Sequence, residues 1–197
     1  MDVVRNETFS GEDWALDEVE RAHYEDCAFH DVDWSEAKLA GCTFTHCEFG
    51  NVRFNATELT DCAITQSVIR RSSFFDATLA GCKLTGTQFL DCGLRPLTVD
   101  GGDWGFVSLR GANLTAARFG GLRLREADLT NADLTRADLR GADLSNARLQ
   151  GAVLKGADLR GADLDGVALR DVDIDGAQID LAQAMQFATA FGARVSG

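Results

Sequence analysis

The chain has 197 residues, 45% of them hydrophobic, with one proline and a formal net charge of −12, so it is long enough for one packed domain and too apolar for a disordered acidic tail. A sequence pI near 4.6 excludes the basic footprint of a protein that grips nucleic acid directly and favours a basic partner. The opening Met1–Glu7 has no apolar signal core, and no run approaches the roughly 18 apolar residues of a membrane span; a cytoplasmic location without membrane contact is predicted.

Taken in chain order, the dominant feature starts at Phe9. Every fifth residue from there to Ile179 is apolar without one insertion: Phe9, Trp14, Val19, Tyr24, Phe29, Trp34, and on through Leu124 to Leu169, Ile174 and Ile179. From Ala22 onward to Ala177 the side chain two residues before each of these is nearly always small, with Leu97, Gly102 and Leu122 as exceptions. A period of five fits neither the 3.6 of a helix nor the 2.0 of a free strand. A chain that turns a corner every five residues can bury it. Four sides make a coil of 20 residues, and coils stacked at the strand spacing of about 4.8 Å pair their backbones with the coils above and below.

Residues 20 apart should then form columns such as Trp14, Trp34, Phe54, Phe74 and Phe9, Phe29, Phe49, ahead of a regular Leu-only second half. The expected rod covers residues 6–179 of a single 1–197 domain and is roughly 41 Å long. Leu94-Arg95-Pro96-Leu97 interrupts the pattern, and a kink or bulge is expected over 95–102, because Pro cannot donate to a ladder and Leu97 is oversized for the small row. A cis Arg95–Pro96 bond is compatible with the sequence.

After Ile179 the register stops. Asp180 with Gln183 forms a capping-box pattern and Gly192 a stop, so residues 180–192 read as a short helix, with Leu181, Met185 and Ala188 on one stripe. The helix would close the open end of the rod. On a sharper reading Leu181, Met185, Phe187, Ala188 and Phe191 meet a second copy in a two-fold dimer.

The six cysteines, 27, 42, 47, 62, 82 and 92, all fall in the small inward row and read as core packing rather than a disulfide or metal framework. His23, His30 and His46 occupy three different repeat positions outside the inward rows, against a shared metal site. No nucleophile–base set, phosphate loop or metal-ligand spacing stands out, so the expectation is a protein that is not an enzyme and needs no cofactor or metal.

The segments Ala127-Asp128-Leu129, Asn131-Ala132-Asp133-Leu134, Ala137-Asp138-Leu139, Gly141-Ala142-Asp143-Leu144 and Ala162-Asp163-Leu164 spell A-(D/N)-L-x-x. With this signature the chain resembles the pentapeptide-repeat family over some nine-tenths of its length. The resemblance implies an all-β fold, a right-handed quadrilateral β-helix, with a short C-terminal α-helix. Within the family three local features resemble the MfpA- and Qnr-type group of fluoroquinolone-resistance proteins. They are Leu94-Arg95-Pro96-Leu97-Thr98, Leu122-Arg123-Leu124-Arg125-Glu126, and Gly176-Ala177-Gln178-Ile179-Asp180 followed by Gln183-Ala184 and Phe187-Ala188. That likeness implies a homodimer joined through its C-terminal helices, which imitates duplex DNA, binds the basic DNA-binding or strand-passage surface of DNA gyrase, and protects or inhibits that type II topoisomerase.

The charge pattern bears on this idea separately. A duplex as long as the rod carries about 24 phosphates, at one per roughly 1.7 Å, against a net −12 here. Residues 1–36 hold twelve acidic side chains against Arg5 and Arg21, whereas 161–180 holds Asp163, Asp165, Asp171, Asp173, Asp175 and Asp180 against Arg170. The stretch 110–160 is slightly basic. Candidate partner-binding acids are therefore Asp13, Asp17, Glu18, Glu25, Asp26, Asp31 and Asp33 at one end, and Asp138, Asp143, Asp158, Asp163, Asp165 and Asp173 toward the other. Asp138 over Asp158 and Asp143 over Asp163 should stack as like charges, which repel; the plainer reading is that these Asp residues serve local turns and are partly neutralised by Arg136, Arg140 and Arg160. The alternative function is a scaffold or self-immunity protein of the same fold with another target.

Overall fold

The structure, a computed structural model, describes residues 3–195. The chain winds as a right-handed, four-sided β-solenoid in which each residue lies beside the one 20 positions on. Parallel pairing joins Val4, Tyr24, Phe44 and Ile64 on one side. It joins Phe9, Phe29, Phe49, Ile69 and Phe89 on the second, and Val19, Leu39, Leu59, Leu79 and Val99 on the fourth. The third side is a row of single bridges, Asp13 to Asp33 to Arg53 to Ser73 to Gly93. Strands end at Asp100; beyond it the sides are single bridges, the last being Asp158 to Gln178.

The apolar row fills the interior. Trp14–Trp34, Trp34–Phe54 and Phe54–Phe74 ring centroids lie 5.2, 5.3 and 4.6 Å apart, and Phe9–Phe29 and Phe29–Phe49 stack at 5.1 and 5.0 Å. From Leu124 to Leu164 the inward leucines are at most 3% exposed.

Each corner rests on the second residue after the inward apolar one, which adopts positive φ everywhere among the described residues except at Pro96 and Asp171. Twenty non-glycine residues do so, at φ 50–65°, a conformation that side chains with a Cβ take only when neighbours hold them there. The ladder supplies the hold: Leu16 N–H donates to Ser35 O at 3.0 Å and Phe106 N–H to Arg125 O at 2.9 Å.

Pro96 occupies a corner position and cannot take this conformation. The Arg95–Pro96 bond is cis, and Leu97–Asp100 still pairs with Ala77–Ala80 in the 20-residue register. The disturbance lies above that coil. Asp76 N–H reaches Pro96 O, one residue further than the equivalent bond from Ala56 to Phe75 O. No backbone bond links Leu94 or Val99 to the coil above, nor Asn113 or Arg118 to the coil below, although Gln88 bridges Ser108 and Asp103 bridges Arg123 on the other two sides. The expected kink or bulge is thus a seam opened on two of the four sides.

All six cysteines lie in the inward row, five buried and Cys92 half-buried. Each thiol donates to an inward-row carbonyl 23 residues earlier: Cys27 to Val4, Cys42 to Val19, Cys47 to Tyr24, Cys62 to Leu39, Cys82 to Leu59 and Cys92 to Ile69, at 3.2–3.7 Å. These are six corners that no turn bond to the third residue onward closes. Past Trp104 such bonds recur, for example Ala112 N–H to Leu109 O at 3.1 Å, and the inward small residue becomes Ala. Cysteine here is a small apolar filler that also satisfies a buried carbonyl. Burial pushes the Cys47 thiol up to about 11, away from reactive thiolate.

The C-terminal helix runs Leu181–Ala190 with Asp180 as N-cap, and both arms of the capping box form. Gln183, 2% exposed, also donates from Nε2 to Leu159 O and Ala162 O, and Asp180 Oδ2 accepts from Gly161 N–H at 2.9 Å. These bonds, with buried Phe187, close the last coil. Among the described residues no helix is long and apolar enough to cross a membrane.

Candidate partner-binding surface

The solenoid turns the acidic side chains of the candidate set outward, because only two positions in five point in; the one exception, Asp17, stands in the small inward register two before Val19 and is exposed at the open first coil. Local chemistry explains why so many sit immediately before the inward apolar residue. Asp13, Asp33, Asp138, Asp143, Asp158, Asp163 and Asp173 each accept the backbone N–H two residues on through Oδ1, at 2.9–3.2 Å. That is an Asx turn, which steadies the bend that follows.

At the N-terminal end the acids form a collar around the rod. Asp13 lies below Asp33 on the third side, Asp17 and Glu18 begin the fourth, Glu25 and Asp26 close the first, and Asp31 is a corner of the second. Asp2, counted in the acidic end, lies outside the described residues. Part of the collar is neutralised from the neighbouring coil. Arg53 meets Asp33 at 2.6 Å and holds its carboxyl at about 2; Arg5 meets Glu25 at 2.7 Å, and Lys38 lies 3.7 Å from Glu18. His46 Nδ1 stands 3.8 Å from Asp26, and Asn51 donates to Asp31. Asp13, Asp17 and Asp31 are exposed and belong to no ion pair among the described residues.

The C-terminal acids divide more sharply. Asp138 and Asp158 do stack, but arginines interleave with them: Arg140 bonds Asp138 at 2.6 Å and reaches Asp158 at 3.8 Å, and Arg160 bonds Asp158 at 2.6 Å. The Arg160 guanidinium holds the Asp158 carboxyl at about 2, and Arg140 lowers that of Asp138. Arg136 takes no part in an ion pair among the described residues. Asp143 lies between Arg123 and Asp163 in its column, but Arg123 pairs with Asp103 at 3.7 Å, and Asp143, Asp163 and the adjacent Asp165 belong to no ion pair among the described residues. Asp173 is exposed on the third side, two residues from Asp175, which pairs with Lys155 at 3.0 Å. The net negative charge therefore lies mainly at the two ends, whose unpaired acids stand about 27–38 Å apart at the coil spacing of roughly 4.8 Å; between them exposed Glu58, Asp61, Asp76, Asp91 and Asp100, like exposed Arg71 and Lys83, belong to no ion pair among the described residues.

On the C-terminal helix Leu181, Met185 and Phe191 are 80, 46 and 64% exposed, Ala188 is half-buried, and Phe187 is 7% exposed against the rod. Phe187 was expected with the outward set; the i, i+4 pair Gln183 and Phe187 instead forms the inner face of the helix. Among the described residues no group of three or more His, Cys, Asp and Glu could hold a metal ion. His23 bonds Thr43 Oγ1 at 2.7 Å and His46 bonds Gln66 Oε1 at 2.6 Å, each within its own column.

These features define a class: a four-sided solenoid of five-residue repeats with an apolar interior and its charged side chains on the surface. A family model described as pentapeptide repeats matches residues 25–71, 108–146 and 147–182, with eight copies. The chain belongs to the pentapeptide-repeat family. A search of curated protein sequences gave no match. Among solved structures the chain is similar to QnrB1, a plasmid-mediated fluoroquinolone resistance protein, at 20% identity, covering 99% of this chain and 100% of that one with a TM-score of 0.66. It is also similar to HetL, a pentapeptide repeat protein involved in heterocyst differentiation regulation from the cyanobacterium Nostoc sp. strain PCC 7120, at 21% identity, 88% coverage of each chain and a TM-score of 0.50. At these identities the likeness is one of fold.

Proposed function

We propose that the protein is a non-enzymatic DNA mimic that binds the DNA-binding or strand-passage surface of DNA gyrase and modulates or protects that enzyme against fluoroquinolones or related poisons. The observation that supports this reading is the concentration of net negative charge at the two ends of the rod, twelve acids against Arg5 and Arg21 over residues 1–36 and six against Arg170 over 161–180. Such ends attract a basic channel and fall silent in high salt, as duplex DNA does. The likeness to QnrB1 supports it at the level of fold, together with the local sequence features around Pro96 and the C-terminal helix.

In this reading two copies meet through Leu181, Met185, Ala188 and Phe191, which doubles the length of the mimic and leaves an acidic collar at each far end. Phe191→Asp should yield monomers by light scattering, and a mass equal to that of the unaltered protein would refute the seam. Supercoiling by purified gyrase should change on adding the protein, either falling in the absence of drug or recovering in the presence of a quinolone. Indifference in both assays contradicts the proposal and favours a scaffold or immunity protein with a different target, the kind of divergence that one fold permits.

A further inference from the structure

We propose that the seam opened above Pro96 is a docking site for an extended, acidic peptide segment, which adds as a strand to the edge of Leu97–Asp100. Three structural observations converge there; the topoisomerase reading draws on the sequence around Pro96 but on none of these three.

The first is backbone chemistry. Elsewhere an inward residue donates its N–H to the coil above, as Phe74 does to Gly93 O at 2.7 Å, and the carbonyl of the small inward residue accepts from it, as Val52 O does from Ser73 at 3.0 Å. At the seam the N–H groups of Leu94 and Val99 and the carbonyls of Cys92 and Leu97 have no such partners. An edge that presents donors and acceptors in alternation is completed by another extended backbone. A phosphate or free carboxylate, which only accepts, would leave the carbonyls unmatched.

The second is shape. Leu94–Thr98 on one lip and Leu114–Phe119 on the other line a cleft of about 600 Å³. The side chains that should be sealed inside, Leu97, Val99 and Ala117, are only half-buried here, whereas Ala77 and Leu79 one coil below are 0 and 1% exposed. A strand entering the cleft would place every second side chain against this apolar floor.

The third is charge. Arg95 and Arg118, exposed on opposite lips, belong to no ion pair among the described residues, although the protein carries a net charge of −12; Arg95 donates to Asn113 Oδ1 at 3.1 Å across the seam. Two guanidinium groups outside any ion pair, flanking an open edge, favour acidic side chains at the outward positions of the added strand, with Asp133 and Asp138 of the coil above the nearest acids of the protein itself. The occupant defined by the three observations alternates apolar and acidic residues.

The test uses the full chain and a fluorescent hexapeptide alternating valine and glutamate, read by anisotropy. The peptide should bind saturably. Arg95→Glu with Arg118→Glu should weaken it by about tenfold or more, two charge-assisted contacts being lost; both residues are exposed, and an unchanged far-ultraviolet spectrum verifies the fold. Methylating alternate peptide nitrogens should abolish binding, and the valine–lysine counterpart should not bind. Absence of binding, equal binding by the methylated peptide, or full displacement by inorganic phosphate would overturn the proposal, the last two results indicating a simple anion site. Since the assay contains no topoisomerase, its failure leaves the DNA-mimic reading standing, and the reverse also holds.

Discussion

Phe49→Ala should lower the free energy of unfolding by about 3–5 kcal/mol, the range for removing a buried aromatic ring from a core that cannot collapse around the gap. Phe49 is 0% exposed, stacks on Phe29 at 5.0 Å and meets Phe44 at 5.5 Å. Its backbone is pinned by ladder bonds on both sides, so the walls of the cavity cannot close in. A solenoid coil touches only its neighbours, so the effect should be regional: hydrogen-exchange protection should fall around residues 24–74 and persist over 124–164. Denaturant unfolding monitored with exchange checks this, and uniform loss of protection along the rod would show a cooperativity that nearest-neighbour stacking does not supply.

Replacing Asp13, Asp17 and Asp31 together by Lys should weaken binding to gyrase by an order of magnitude or more, because these are the candidate collar acids that belong to no ion pair among the described residues. Asp138→Asn with Asp158→Asn should change it little, since Arg140 and Arg160 already neutralise that pair. Titration calorimetry at fixed ionic strength separates the two. Equal effects, or a larger one from the paired aspartates, would place the contact on the middle of the rod. The contrast also distinguishes a site from mere acidity: the triple variant changes six units of charge at one end, and its loss should diminish as salt screens the collar.

The apolar period made the rod legible before any coordinates, because a five-residue register has few physical solutions and each inward position can be checked against the next. Phe9, Trp14 and their columns stand where the period puts them. The cysteines were legible as core by register, but not as hydrogen-bond donors. That role depends on which corners lack a turn bond, and Val19 or Leu39 shows no sign of it in one dimension. At Pro96 the sequence pointed to a disturbance and not to its form. Whether a misfit corner shifts its own coil or parts from the next is decided by competition between two ladders, and the one toward Ala77–Ala80 prevailed.

The charge pattern was the least legible part. Asp138 and Asp143 occupy the same repeat position and read alike, yet Arg140 and Arg160 turn the first column into paired charges while the second stays open. Counting acids along the chain cannot separate them, because pairing acts between coils, at a distance of 18 to 22 residues, and along the turn at two. Phe187 was misassigned for a related reason. A ten-residue helix offers two apolar stripes, and only docking against Leu159 and Ala162 selects the inner one.

The central claim is that the rod occupies a surface of gyrase made for DNA. The most direct measurement is equilibrium competition: labelled duplex DNA bound to purified gyrase, titrated with the protein at two salt concentrations. The account predicts displacement of the duplex, with an affinity that falls steeply between the lower and the higher salt. Binding of the protein to gyrase with the duplex still in place, or no binding at either salt, would contradict it.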